Sequence, residues 1–189
     1  MTEPLPQGDF SVLFAGRLLR SKGVLVVRDA ARLARQRNLP VRFTIAGMSD
    51  ADDPDALTPD EFASLAQSRD LAFHMNVPPA EMPALLAASH AVVLPTIYQE
   101  GIPRILLEAA AASRFGIVSG NPGCLAFVEN GETGVVLPTV DAEALLDAVT
   151  ALARDRELVD RLSVGAKARF DGGGFGAEHV KSATLALYR

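Results

Sequence analysis

The sequence predicts a doubly wound α/β fold, with one open parallel sheet of about six strands and helices on both faces. Three observations carry this reading. Short apolar runs alternate six times with helix-length segments along the chain. The runs read as continuous rather than alternating with polar residues, which is the pattern of a parallel sheet covered on both sides. Gly16, Gly47, Pro95 and Ser119 each close one of these runs. The loops that follow should therefore meet along one edge, beyond the carboxyl ends of the strands, where open α/β sheets bind ligands.

Residues 1–9 read as a flexible leader. Ser11-Val12-Leu13-Phe14-Ala15 forms the first strand, and a helix runs from about Val24 to Arg37, stopped by Asn38-Leu39-Pro40. Val41 to Ala46 is the second strand. The acidic stretch Ser49 to Leu57 leads into Thr58-Pro59-Asp60-Glu61, a capping box with proline at the first helical position, so a helix starts there. A third strand lies near Leu71–Met75, a helix near Ala80–Ala88, and a fourth strand at Ala91–Leu94. A helix opens at Pro103 and a strand follows near Gly116–Ser119. A short helix around Leu125–Glu129 ends at Asn130-Gly131, and Val135–Leu137 makes the last strand. Helices near Asp141–Arg154, Glu157–Phe170 and Ala177–Leu187 close the chain. No internal repeat or linker interrupts residues 10–189, which read as one domain.

At 189 residues, 49% of them hydrophobic, the chain can bury one substantial core. A net charge of −5 argues against a general nucleic-acid binder, which needs a basic face for the phosphate backbone. The single cysteine, Cys124, excludes an internal disulfide and fits a reducing compartment. The start, MTEPLPQGD, lacks the apolar core of a signal peptide, and no run approaches the length of a membrane span. A soluble, cytoplasmic protein is expected.

The stretch from Leu94 to Gly123 carries most of the chemistry. Pro103 opens its helix, where the missing N–H of proline costs nothing. Glu100 lies in the loop ahead of that helix, Gly101 lets the backbone turn, and Glu108 falls in the second helical turn. Arg104 sits in the first turn, where a cation opposes the helix dipole unless something anionic is present. Helix N-termini bind phosphates through free N–H groups, and arginine can add a fork to them. Carboxylates for hydroxyls beside a helix end for phosphate suggest a sugar nucleotide. A plainer reading pairs Arg104 with Glu108 as a surface i,i+4 contact worth a few tenths of a kcal/mol.

Glu100-x7-Glu108 within EGIPRILLEA resembles the signature of retaining glycosyltransferases of family 4, whose two-lobed GT-B fold carries it in the C-terminal, donor-binding lobe. FAGRLLRSKG, residues 14–23, resembles the phosphate loop of that family, and PGCLAFVENGETGVVLP resembles its loop and strand after the helix. The resemblance runs from about Phe10 to Tyr188 and implies a Rossmann-like lobe with its acceptor-binding N-terminal domain absent. It implies that Arg17 and Lys22, after Gly16, reach the donor diphosphate and stabilise the departing nucleotide. Glu100 would contact the donor sugar near the reacting carbon, and Glu108 the ribose hydroxyls. Gly101, Ile102, Pro103, Arg104 and Ile105 would line the diphosphate and sugar, the N–H groups of Ile102, Arg104 and Ile105 facing them. Transfer would proceed with retention, without a metal or other cofactor and without a protein base, the departing phosphate taking the acceptor's proton. The Ile102-Pro103-Arg104 and Pro122-Gly123-Cys124 turns look most like bacterial enzymes of capsule, exopolysaccharide and O-antigen synthesis, which mostly use UDP-sugars. A glycan or lipid-linked acceptor, and peripheral membrane association of the full-length enzyme, would follow. Alone, the lobe should bind a nucleotide and fail to transfer sugar efficiently.

Other features have duller readings. Asp50, Asp52, Asp53 and Asp55 imitate a metal-binding Asp-x-Asp, but acidic clusters before a capped helix are usually solvated loops. His74, His90 and His179 have no clustered ligands, Cys124 has no adjacent histidine, and Gly172-Gly173-Gly174 reads as a joint. Three positions depart from the family: Arg104, often apolar there; Ser113-Arg114-Phe115, in place of Gly-x-Pro; and Met75, where glycine is usual near the base pocket. Three rivals stand beside the transferase. A sugar-nucleotide epimerase needs further acid and base residues, and a non-catalytic nucleotide-sugar module needs no chemistry at all. A glycosidase pair of carboxylates would leave the phosphate loop unexplained.

Overall fold

In the computed structural model, residues 4–173 and Phe175 are described. Six strands form one sheet in the order β3-β2-β1-β4-β5-β6, and every neighbouring pair is parallel. They are β1 (Phe10–Arg17), β2 (Val41–Met48), β3 (Ala72–Met75), β4 (Ala91–Leu94), β5 (Phe115–Val118) and β6 (Gly134–Val136). The predicted fold class is the observed one. β4 and β5 are buried at every residue, as continuous apolar runs demand. The edge strand β3 is the exception, with three of its four residues exposed, including His74.

The helices are α1 (Val24–Gln36), α2 (Pro59–Ala66), α3 (Met82–Ala87), α4 (Arg104–Ala111), α5 (Pro122–Leu125), α6 (Ala142–Arg154) and α7 (Arg156–Gly172). From β1 the chain first builds outward through β2 to β3, then returns to β4 and builds the other way. Right-handed crossovers therefore put α1 and α4 on opposite faces. α6 then packs beside α1, and α7 beside α4. The capping box forms as predicted: the Thr58 side chain accepts from the Glu61 N–H, and Glu61 accepts from the Thr58 N–H.

Boundaries moved where a cap decided them. Pro103 is the N-cap of α4 rather than its first residue. The short helix predicted at Leu125–Glu129 starts at Pro122, because the Asn121 side chain caps it from outside. Cys124 thus lies in a helix, buried, not in a loop. The last predicted helix, Ala177–Leu187, lies outside the described residues. Gly172, read as part of a joint, is the last residue of α7.

Residues 4–9, read as part of a flexible leader, are tethered below the sheet. Arg114, 1% exposed, donates to the Pro4 carbonyl and to the carbonyls of Leu86, Ala87, Ala112 and Ser113. Helix C-termini leave such carbonyls unpaired and favour a cation, so one buried guanidinium closes both α3 and α4. Ser113 stands at φ 58, the left-handed position that favours glycine. His90 stacks on Phe10, accepts from the Ser11 N–H at 3.0 Å, and faces the Pro6 carbonyl and Arg156, each at 3.1 Å.

Candidate functional site

The loops after β1 and β4 are neighbours because β1 and β4 are adjacent strands whose crossovers leave in opposite directions. This is the topological switch point, where a crevice opens at the carboxyl edge of the sheet. After Arg17, the chain makes a tight 3-10 turn over Arg20–Lys22 and enters α1 through Gly23. Gly23 has φ +78, and a β-carbon there would lie 2.2 Å from the Pro95 carbonyl oxygen. Only glycine lets the two loops touch. Once in contact they are stitched at one atom: the Ser21 carbonyl accepts from the N–H groups of Ile97 and Tyr98 and from the Thr96 hydroxyl.

That contact brings Lys22 and Glu100 together. The Lys22 ammonium donates to Glu100 Oε1, with side-chain exposures of 11% and 26%. It also lies 4.5 Å from the centroid of the Tyr98 ring, and the Arg17 guanidinium lies 5.1 Å from the same ring. Both predicted cations therefore face one aromatic ring, an arrangement in which the ring's negative face helps hold charge. Arg17 Nη1 donates to Asp50 at 2.8 Å and Asp53 at 3.2 Å. Hydrogen bonding to Asp50, and then to Tyr98, raises the Arg17 pKa further above its ordinary value.

Glu100 is held from the far side. Asn121 donates to the Tyr98 carbonyl at 2.9 Å and caps the Gly123 N–H at 3.0 Å. A β-carbon at Gly123 would meet the Glu100 and Gly101 carbonyl oxygens at 2.3 Å, so α5 can press against that turn only through a glycine. Cys124, in the same helix, is pushed up to about 11 by burial and then by Glu100. Its thiol stays protonated at neutral pH and is no nucleophile.

The predicted site residues separate into two groups. Gly16, Arg17 and Lys22 converge with Glu100, followed along the chain by Gly101, Ile102 and Pro103, at the switch point. Arg104, 85% exposed, instead turns back along its own helix to Glu108 at 2.6 Å. That is the surface pair of the plainer reading. Ile105 is buried by its side chain, leaving its first-turn N–H as the part able to face a ligand.

Sequence reasoning missed Tyr98, Asn121 and the acidic loop. The signal for Tyr98 was present, since it is the one aromatic residue between Pro95 and Pro103. The acidic loop follows β2, next to β1, and is not simply solvated. Besides Asp50 and Asp53 on Arg17, Asp55 accepts from the Ser21 N–H at 2.8 Å and from its hydroxyl. Glu61 takes Arg20 at 2.6 Å, and that guanidinium, with the Thr58 N–H, holds the Glu61 carboxyl down at about 2. Among the described residues, no three histidine, cysteine or acidic side chains converge as metal ligands do. No described helix is long and apolar enough to cross a membrane.

The switch point of this doubly wound fold thus gathers two cations, Arg17 and Lys22, with three carboxylates, Asp50, Asp53 and Glu100. The chain matches the family model described as glycosyl transferases group 1 over residues 2–169. It is 31% identical to a D-inositol 3-phosphate glycosyltransferase of Arthrobacter sp. FB24, in an alignment covering 97% of this chain and 43% of that enzyme. It is 30% identical to the alpha-D-kanosaminyltransferase of Streptomyces kanamyceticus, over 82% of this chain and 39% of that one. Among solved structures, sucrose-phosphate synthase from Thermosynechococcus elongatus superposes with a TM-score of 0.81 at 24% identity, covering 98% of this chain and 46% of that one. This protein belongs to the group 1 glycosyl transferases. It spans about two fifths of the length of the curated relatives it matches.

Proposed function

We propose that this chain is the donor-binding lobe of a retaining glycosyltransferase, and that its donor is a UDP-sugar. One observation carries the reading: two loops remote in sequence meet at the switch point to pair Lys22 with Glu100, with Arg17 beside them. The diphosphate lies against Lys22, Arg17 and the first-turn N–H groups of α4, and Glu100 reaches the donor sugar. Glu108 takes the ribose hydroxyls once Arg104 swings away, a cheap step because an exposed i,i+4 pair is worth only a few tenths of a kcal/mol. A HepE structure from Anabaena in complex with UDP and glucose has this fold, with a TM-score of 0.72 at 21% identity over 86% of this chain and 43% of that one.

Transfer breaks the bond from the anomeric carbon to the phosphate oxygen, whose electron pair stays on the diphosphate. The acceptor oxygen bonds to that carbon and its proton passes to the departing phosphate. Lys22 and Arg17 stabilise the charge that develops there. The acceptor is held by a second, N-terminal lobe, and this lobe alone binds nucleotide without efficient transfer. The narrower assignment, a glycan or lipid-linked acceptor in bacterial surface polysaccharide synthesis at the inner face of the membrane, rests on the two turns around Pro103 and Pro122. The curated relatives above are named instead for D-inositol 3-phosphate and for the kanosaminyl group. Calorimetric titration with UDP, GDP and ADP, with and without Mn²⁺, tests the proposal. Metal-independent binding of UDP is expected; binding that requires Mn²⁺ would sink the metal-free site.

A further inference from the structure

We propose that Asp50 and Asp53 are a built-in counter-anion for Arg17, which competes with the phosphates of a ligand, and that they thereby set the phosphate-dependent part of its affinity. The inference rests on the donor-lobe reading. Both carboxylates take the same nitrogen, Nη1, at 2.8 and 3.2 Å, which engages two of the guanidinium's five N–H groups and sets two negative charges beside the other three. A phosphate oxygen seeks such donors at the same distance, and phosphate cannot share them with two carboxylates without like-charge repulsion. The Tyr98 ring, 5.1 Å from the guanidinium, is a second support that remains when the carboxylates let go. The loop that carries them is anchored elsewhere. Asp55 binds Ser21, the Arg20 guanidinium binds Glu61 and the Ala56 carbonyl, and Leu19 bridges Ala56. Asp50 and Asp53 can therefore release Arg17 while the phosphate loop stays tied down. The carboxylates act through Arg17 and are positioning residues.

The test is the Asp50→Asn/Asp53→Asn double variant, titrated calorimetrically with UDP and with uridine beside the wild type. Removing two half-buried charge pairs should tighten UDP by roughly three- to tenfold and leave uridine within about twofold. Asp50→Glu/Asp53→Glu, which keeps both charges, should stay near the wild type. Unchanged or weaker UDP binding by the Asn variant, with uridine binding retained, would overturn the proposal, and so would equal shifts for both ligands. If the Asn double variant does not fold, Asp50→Asn alone decides the matter by the same comparison. A wild type that binds UDP no better than uridine would defeat the donor-lobe reading itself, a result distinguishable from failure of the counter-anion alone.

Discussion

Lys22 is about nine-tenths buried, and a cation taken that far from water needs a partner. It has Glu100 and the face of Tyr98, whereas Arg17 is held at a more open position by Asp50, Asp53 and the same ring. Two predictions follow from those positions. Arg17→Ala should weaken UDP by roughly 10- to 100-fold, the range for a hydrogen bond to a charged group, and leave uridine unchanged; equal losses in calorimetry would remove Arg17 from the phosphate. Glu108→Ala should weaken UDP and uridine alike by about 1.5–3 kcal/mol with little change in Tm, and unchanged affinity would remove it from the ribose. A third prediction concerns His90. Burial and then Arg156 lower its pKa from the ordinary 6.5, so the unfolded chain binds this proton more readily than the folded one. Stability is undiminished above that ordinary value and falls as pH drops below it. Tm should decline as pH falls below about 6.5, and in His90→Gln this part of the decline should disappear, whatever the variant's absolute Tm.

At the scale of elements, the site depends on two glycine contacts that sequence patterns do not announce. Gly23 lets the phosphate loop touch Pro95, and Gly123 lets α5 seat against the Glu100-Gly101 turn. In Gly123→Ala, a β-carbon 2.3 Å from two backbone oxygens forces a backbone shift, at a cost of about 1–3 kcal/mol. Because the displaced turn carries Glu100, UDP affinity should fall together with Tm; a Tm loss with intact affinity would show that Glu100 is positioned from elsewhere. Local rules served well where a signal was complete. The capping box at Thr58 formed as read, and α1, α6 and α7 lie within a few residues of their expected spans. They failed at α5, whose start was set by the Asn121 cap, and in the acidic loop, whose partners lie 33 to 36 residues away.

At the scale of the molecule, one core of both sheet faces supports the switch point. Ile117→Ala, at a fully buried position of β5, should cost about 2–5 kcal/mol. Val164→Ala, at a residue 55% exposed on α7, should stay within about 0.5 kcal/mol. Chemical denaturation of both variants checks the contrast, and comparable losses would place Val164 in an interface. The sequence by itself determined the fold class, because buried parallel strands need continuous apolar runs and the crossovers between them need helix-length segments. It also marked the loops that follow Arg17 and carry Lys22 and Glu100, because turns after strands are punctuated by glycine and proline, and the helix that carries Glu108. Only the tertiary structure decided which charges meet. Lys22 found Glu100 across 78 residues, and Arg17 found Asp50 and Asp53. Strand order sets those pairings, and a chain read one residue at a time holds no record of which strands will lie side by side.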